Sequence, residues 1–318
     1  MADERLKRIT RELLFTSFLG PASGLEESWI IDRFAEGIEE SVVAKGEVLF
    51  DIGDSSDSLF FMSEGRLRLQ APGRPDWVYD GRWVVGTTDQ LTARKRQRRA
   101  LVEQDARVFR VRGDLWTELM EDSFEATSGA LFGNARAVAG LYARVGPGGG
   151  FAAPPVEDDA PMSLRVPASD SIVDRTLLLY ETPMFKGAGV QPLTDLARQC
   201  SLIELRAAED LFSAGIPPER SYVVVSGEVE VARQNPDVRA RFGPRSVVGG
   251  AVCLGDPTAE WSGRATQPTR LLSLWNEDWF DEMEEHVDLA RAGMAWLSLE
   301  RERLFDLLAA PTGEIVLY

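Results

Sequence analysis

Two stretches of the chain repeat one another without a gap, and no other feature restricts the fold so sharply. GEVLFDIGDSSDSLFFMSEGRLRL, Gly46 to Leu69, lies against AEDLFSAGIPPERSYVVVSGEVEV, Ala208 to Val231. Glu47 meets Glu209, Leu49 meets Leu211, Phe50 meets Phe212, Gly53 meets Gly215, Phe60 meets Tyr222 and Gly65 meets Gly227. Every pair is 162 positions apart (209 − 47 = 162; 227 − 65 = 162). Leu67 and Leu69 then meet Val229 and Val231, so glycine positions and strand alternation repeat together. A period this long means a duplicated domain rather than a solenoid. Turn glycines between short alternating runs predict strands in both copies.

The flanks repeat as well. ESWIIDRFAEGIEE and VQPLTDLARQC predict helical lead-ins, and strands follow through Val111 in one copy and Leu274 in the other. GDLWTELMEDSFEATSGALFGNARAVAGLYARV and NEDWFDEMEEHVDLARAGMAWLSLERERLFDLLA then carry apolar residues at spacings of three and four, as helices do. Between the copies, Val145–Ser171 is rich in glycine, proline and acid and reads as a linker. Its GPGGG lacks the Lys-Ser/Thr pair of a phosphate loop. The expected division is a first domain over 1–144, a linker over 145–171 and a second domain over 172–318. The expected fold class is mainly β with flanking helices (α+β). In the last helix, Trp279, Met283, Val287, Ala290, Met294 and Leu297 make one stripe, for the core or for a homodimer seam.

A helix, then GE-LF--GD---D-LFF---G-L-L, then further strands and closing helices resembles the cyclic-nucleotide-binding domain superfamily. Bacterial catabolite activator proteins and regulatory subunits of cAMP-dependent kinases are members. The resemblance covers Leu25–Tyr142 and about Gln191–Leu308. It implies two tandem jelly rolls, with Gly46, Gly53 and Gly65 at tight turns where positive φ is easy only for glycine. It also implies a phosphate-binding cassette in each roll. There a glycine offers backbone N–H groups, a glutamate accepts the ribose 2′-OH, and an arginine pairs with the phosphate. In VVGGAVCLGDPTAEWSGRATQ, Gly249 matches the glycine and Arg264-Ala265-Thr266 the arginine end, but Gly250 replaces the glutamate. In VVGTTDQLTARKRQRRALV, Gly86 and Arg99-Ala100 match, but Thr87 stands in the acid's place. The candidate ligand residues are thus Gly86, Thr87, Arg99, Gly249, Gly250, Arg264 and Thr266, in two degenerate cassettes. Arg264 is expected to pair with a neighbouring acid such as Asp256 or Glu260.

Other signals narrow the function further. A net charge of −16 disfavours nucleic acid and anionic membranes as partners. No run of apolar residues is long enough to span a bilayer, and no apolar signal core opens the chain. The basic run Arg94–Arg99 reads as a solvated hairpin tip within the cassette. Cys200 and Cys253 read as buried thiols, and EIVLY at the end as a strand or a loose terminus. His286 is the sole histidine, so two-histidine metal motifs and a supported catalytic triad are absent. Trp77, Trp83 and Trp261 are the tryptophans expected at an exposed binding surface. The expectation is a cytoplasmic, non-enzymatic scaffold or adaptor acting through protein partners, without cofactor or metal. The alternative is a sensor that binds a cyclic mono- or dinucleotide.

Overall fold

The computed structural model describes residues 4–14, 28–145, 149–152, 171–234, 237–248, 250, 254 and 260–318. The first copy comprises α1 (Glu4–Leu14), α2 (Ser28–Gly37), β1 (Ile38–Val43), β2 (Val48–Phe50), β3 (Ser58–Gln70), β4 (Asp76–Asp80), β5 (Trp83–Val85), α3 (Thr87–Leu91), β6 (Arg99–Arg112), α4 (Gly113–Asp122) and α5 (Phe124–Val145). After β7 (Gly149–Ala152) come α6 (Ile172–Glu181), α7 (Val190–Gln199), β8 (Ser201–Leu205), β9 (Asp210–Phe212), β10 (Arg220–Ser226), β11 (Val229–Gln234) and β12 (Asp237–Phe242). The chain closes with β13 (Val247–Val248), β14 (Trp261–Ala265), β15 (Thr269–Trp275), α8 (Asn276–Glu285), α9 (Val287–Ala309) and β16 (Glu314–Leu317). Two mainly β rolls with flanking helices result. One compact unit is Met1–Gly133 together with Ser298–Tyr318, and the other is Asn134–Leu297. The last turns of α9 and β16 thus group with the first roll, whereas the repeat alone assigned all of 172–318 to the second.

In the first unit β3 and β6 are long because each serves both layers of the roll. Phe60–Met62 of β3 pair with β5, whereas Arg66–Leu69 pair with β4. The bend between them falls at Gly65, where the register against β6 shifts. Gly65 has φ +111, and a Cβ there would lie 2.5 Å from the Cα of Ala106 and 2.6 Å from the carbonyl oxygen of Asp105. Beyond the bend, Leu67 and Leu69 point into the core while Arg66 and Arg68 point out. Glu103 accepts from Arg66 at 3.0 Å and from Arg68 at 2.5 Å. β16 adds to this sheet in parallel beside β4, with Ile315 opposite Trp77 and Leu317 opposite Tyr79. Ile315 and Leu317 are buried, and Glu314 accepts from Arg68 at 2.8 Å. EIVLY is therefore a strand of the first roll.

In the second unit the equivalent bend separates β10 from β11. Gly227 has φ +90, and a Cβ there would meet the Oγ1 of Thr269 at 2.5 Å. The strands form two antiparallel layers, β13-β10-β15-β8 and β12-β11-β14-β9. β7 lies inside the stretch expected to be linker, where it pairs in parallel with the edge of β12. Main-chain pairing needs no side-chain period, so a Gly-Gly-Phe-Ala strand leaves no alternation to read. α8 ends at His286 before α9 begins, which breaks the expected stripe. Trp279, Met283, Ala290, Met294 and Leu297 are nonetheless all buried in the core.

Gly65→Ala should destabilise the first roll by about 3 kcal/mol or more, combining overpacking with positive-φ strain. Gly46→Ala, at φ +90 but with open space around it, should cost only about 1 kcal/mol. Urea unfolding of both variants checks the contrast. Burial raises the Glu103 carboxyl, but the bonds and charges of Arg68 and Arg66 outweigh it and hold the group below its usual range. That stabilisation is present above the unfolded value of 4.5 and is lost as pH falls through the lower folded value. Glu103→Gln should therefore lower stability at neutral pH and flatten its decline below pH 4.5, measured as urea midpoints against pH.

Candidate functional site

The turn glycines of the repeat also hold the cassette. In the first roll Gly53, at φ +89, donates its N–H to the carbonyl of Arg96 at 2.9 Å. The N–H of Arg96 donates to the carbonyl of Asp54 at 3.0 Å. These two bonds pin Arg96, in the stretch 94–97 that follows the turn at Thr92 and Ala93, against the Gly53 turn. Side chains along this run alternate: Arg96, Arg98 and Ala100 are buried, while Lys95, Gln97 and Arg99 are exposed. The expected solvated basic tip is thus corrected, because alternate arginines of the run face inward.

Arg96 is 1% exposed and sits against Gly86, the residue that the resemblance matches to the cassette glycine. Its Nη1 donates to the carbonyl of Gly86 at 2.9 Å, and its Nη2 donates to the carbonyl of Ser58. The guanidinium lies 4.5 Å from the ring centre of Phe50, a cation–π contact. Gly86 must be glycine here: its φ is +88, and a Cβ would collide with the Arg96 guanidinium. Burial pushes Arg96 below its ordinary value, opposed by Asp89, Asp57 and Asp54. Arginine stays charged regardless.

The neighbouring arginines reach acids from the end of the chain. Arg94 donates to Asp89 at 2.6 Å and to Glu302 of α9 at 2.7 Å. Arg98, 3% exposed, donates to the carbonyl of Pro75 at 2.7 Å and to Asp306 at 2.8 Å. Its guanidinium lies 3.5 Å from the ring centre of Trp77. Asp306 also accepts from Arg74 at 2.6 Å and from the indole N–H of Trp77 at 2.9 Å. Phe305 meets the Trp77 ring edge-on at 5.5 Å. Thr87 is buried, and its hydroxyl oxygen accepts from Arg301 at 3.3 Å. A cavity of about 20 Å³ is left among Gly86, Thr88, Trp77, Arg98, Arg301 and Phe305. That is room for one or two waters. Tyr79 lines the same space, and burial raises its phenol to about 12.

The second cassette is arranged differently. Gly249 lies outside the described residues, as do Cys253 and Asp256. Gly250 is buried, and a Cβ there would press on Val247 at 3.2 Å and touch Met184 at 3.8 Å. Arg264 points outward from β14 and donates to Asp210 at 2.6 Å, while Glu260 pairs instead with Arg233. Thr266 is exposed and donates to Glu228 at 2.8 Å. The backbone also corrects the pairing of Arg99 with Arg264. Val102 N donates to Glu47 O and Ala265 N to Glu209 O, both at 2.9 Å, so Val102 and Ala265 are equivalent. Counting back, Arg264 matches Leu101 and Arg99 matches Ser262. Arg99 is exposed, 3.9 Å from Asp51.

Residues 202–286 match the family model of the cyclic nucleotide-binding domain. The second unit therefore carries a cyclic nucleotide-binding domain. The same bend, built on an equivalent turn glycine, recurs in the roll of the first unit, which lies outside that match. Among curated proteins no sequence matches the chain. Similar solved structures include the regulatory domain of Toxoplasma gondii protein kinase A with cAMP, at 12% identity over 89% of this chain and 94% of that one, TM-score 0.34. The regulatory subunit of a cAMP-independent protein kinase A from Trypanosoma brucei is similar at 14% identity over 95% and 90%, TM-score 0.35. The N-terminal domain of a Streptomyces coelicolor transcriptional regulator is similar at 27% identity over 40% and 92%, TM-score 0.34.

The remaining expectations divide. Trp77 and Trp261 are core residues at 2% and 4% exposure, which corrects their placement at a binding surface. Each is capped by an arginine, Arg98 or Arg233, that shields its ring from water. Trp83 is half-buried, and among the tryptophans whose burial is described Trp275 is exposed, beneath the guanidinium of Arg220. Cys200 is buried, which raises its thiol to about 12 and makes it inert. No helix among the described residues is long and apolar enough to cross a membrane. Arg96 and Arg98 were the missed site residues; their signal was the alternation within RKRQRR.

Asp306→Ala should cost about 3–5 kcal/mol, because it strands the buried Arg98 charge. Combining it with Arg98→Met should restore at least half of that loss, since no unpaired charge then remains inside. Urea unfolding of the three proteins tests this.

Proposed function

We propose that this tandem cyclic-nucleotide-domain chain is a non-enzymatic, cytoplasmic regulatory scaffold that acts through protein–protein contacts. The observation that carries the reading is the filled first cassette. The guanidiniums of Arg96 and Arg98 occupy it, their terminal Nη groups bonded to carbonyls and to Asp306. In the second roll Gly250 has no acceptor for a ribose hydroxyl and little space for one, and Arg264 is engaged by Asp210. Both rolls keep the architecture of a ligand-binding domain with its polar groups turned to internal use. The regulatory character of the family supports a role without catalysis.

A sensor is the second reading, favoured by one feature. Arg96 is buried with no carboxylate within 4.0 Å among the described residues, and its Nε–H has no acceptor. An anionic ligand would supply the missing counter-charge if the cassette opened.

Calorimetry and thermal shift with cAMP, cGMP and a cyclic dinucleotide separate the two. The scaffold reading expects no saturable heat and no rise in Tm at millimolar ligand, with a stoichiometric protein partner recovered by affinity capture. Gly250→Glu should gain no affinity and should lower stability by about 2 kcal/mol, since it buries a carboxylate against Val247. Micromolar binding of any of these nucleotides to the unaltered chain would overturn the scaffold reading.

A further inference from the structure

The second unit holds a cluster of metal-ligating side chains that neither reading of the cassettes uses. Asp195 on α7, Glu282 on α8 and His286 at the end of α8 bring two carboxylate oxygens and an imidazole nitrogen within 4.8 Å of one another. Glu282 and His286 are one helical turn apart, with Nε2 and Oε2 separated by 4.0 Å. Glu282 is 9% exposed, and among the described residues no arginine or lysine pairs with it. Burial and the facing charge of Asp195 both raise its carboxyl, while His286 and Gln199 act in the opposite sense. A buried carboxylate set against a second one is costly unless a cation stands between them.

The surroundings are those of ligands held in place. The side-chain amide of Gln199 donates to Oε1 of Glu282 at 2.9 Å, and that of Gln191 donates to Oδ2 of Asp195 at 2.6 Å. Amide donors behind carboxylates orient metal ligands in this way and leave lone pairs free for the ion. Arg198, the other partner of Asp195, is mostly exposed and remains in place as an outer neighbour.

We propose that Asp195, Glu282 and His286 form a site for a divalent transition ion, zinc by preference, tying α7 to α8. One imidazole with two carboxylates suits zinc, whereas magnesium and calcium favour all-oxygen sets. A tetrahedral ion about 2.1 Å from each donor sets the donors roughly 3.4 Å apart, so the three side chains draw in by about 1 Å. A water completes the fourth position. The site is independent of the cassettes and of whether they bind nucleotide.

The test uses the full chain, purified without a histidine tag and stripped with EDTA, and follows its single imidazole by NMR during a Zn²⁺ titration. The expected result is a saturable one-to-one shift of the His286 resonances, a higher Tm with zinc, and no effect of Mg²⁺. Glu282→Gln, which keeps size and the bond to Gln199, should weaken zinc binding by at least about tenfold, as should His286→Ala. Unchanged metal-free melting of the variants shows that the fold is intact. A His286 signal that titrates with pH but ignores zinc would reduce the cluster to an ion pair and overturn the proposal. Zinc affinity undiminished in both variants would overturn it as well.

Discussion

The first roll depends on one buried ion pair. Arg98 lies inside the protein against the face of Trp77, and its counter-charge, Asp306, comes from 208 residues further along the chain. A guanidinium so placed is tolerable only with its charge opposed. Asp306 supplies the charge and at the same time accepts from Trp77 and Arg74. Without that carboxylate Trp77, Arg74 and Arg98 would lose their common acceptor. The closed state of the cassette follows from this contact, because Arg301, Glu302 and Phe305 stand on the same helical turns.

Much of this was legible in the sequence, and the reason is physical. Gly65 and Gly227 had to be glycine, since a side chain at either would strike the opposing backbone or Thr269. Steric demands of that kind survive duplication and show as a fixed offset. The acid missing at Thr87 and Gly250 was visible for the same reason: a motif position tests one residue type. What escaped was charge buried at long range. RKRQRR has the composition of a surface loop, and its interior face is specified by Asp306 and Trp77, which local sequence does not bring together. β7 escaped because backbone pairing leaves no side-chain period, and Arg264 was matched by motif to a residue that the ladder places two positions away from its true equivalent.

The two rolls have turned the same scaffold to different uses. In the first, an inward arginine at each alternate position fills the space and ties it to the chain's acidic end. In the second, Arg264 points outward from β14 to Asp210, and Gly250 packs against Val247. Neither places a carboxylate where the resemblance implies one: Thr87 and Gly250 stand there. In the first roll the terminal N–H groups of Arg96 and Arg98 are bonded within the protein, to carbonyls and to Asp306.

Hydrogen exchange of the full chain, followed by mass spectrometry, tests the central claim that the acidic C-terminal stretch closes the first cassette. The account predicts that peptides over 314–317 and 84–100 share one level of protection, open together, and do not change with saturating cAMP or cGMP. Fast exchange at 314–317 beside a protected cassette would contradict it, and so would slowed exchange at 84–100 on adding nucleotide.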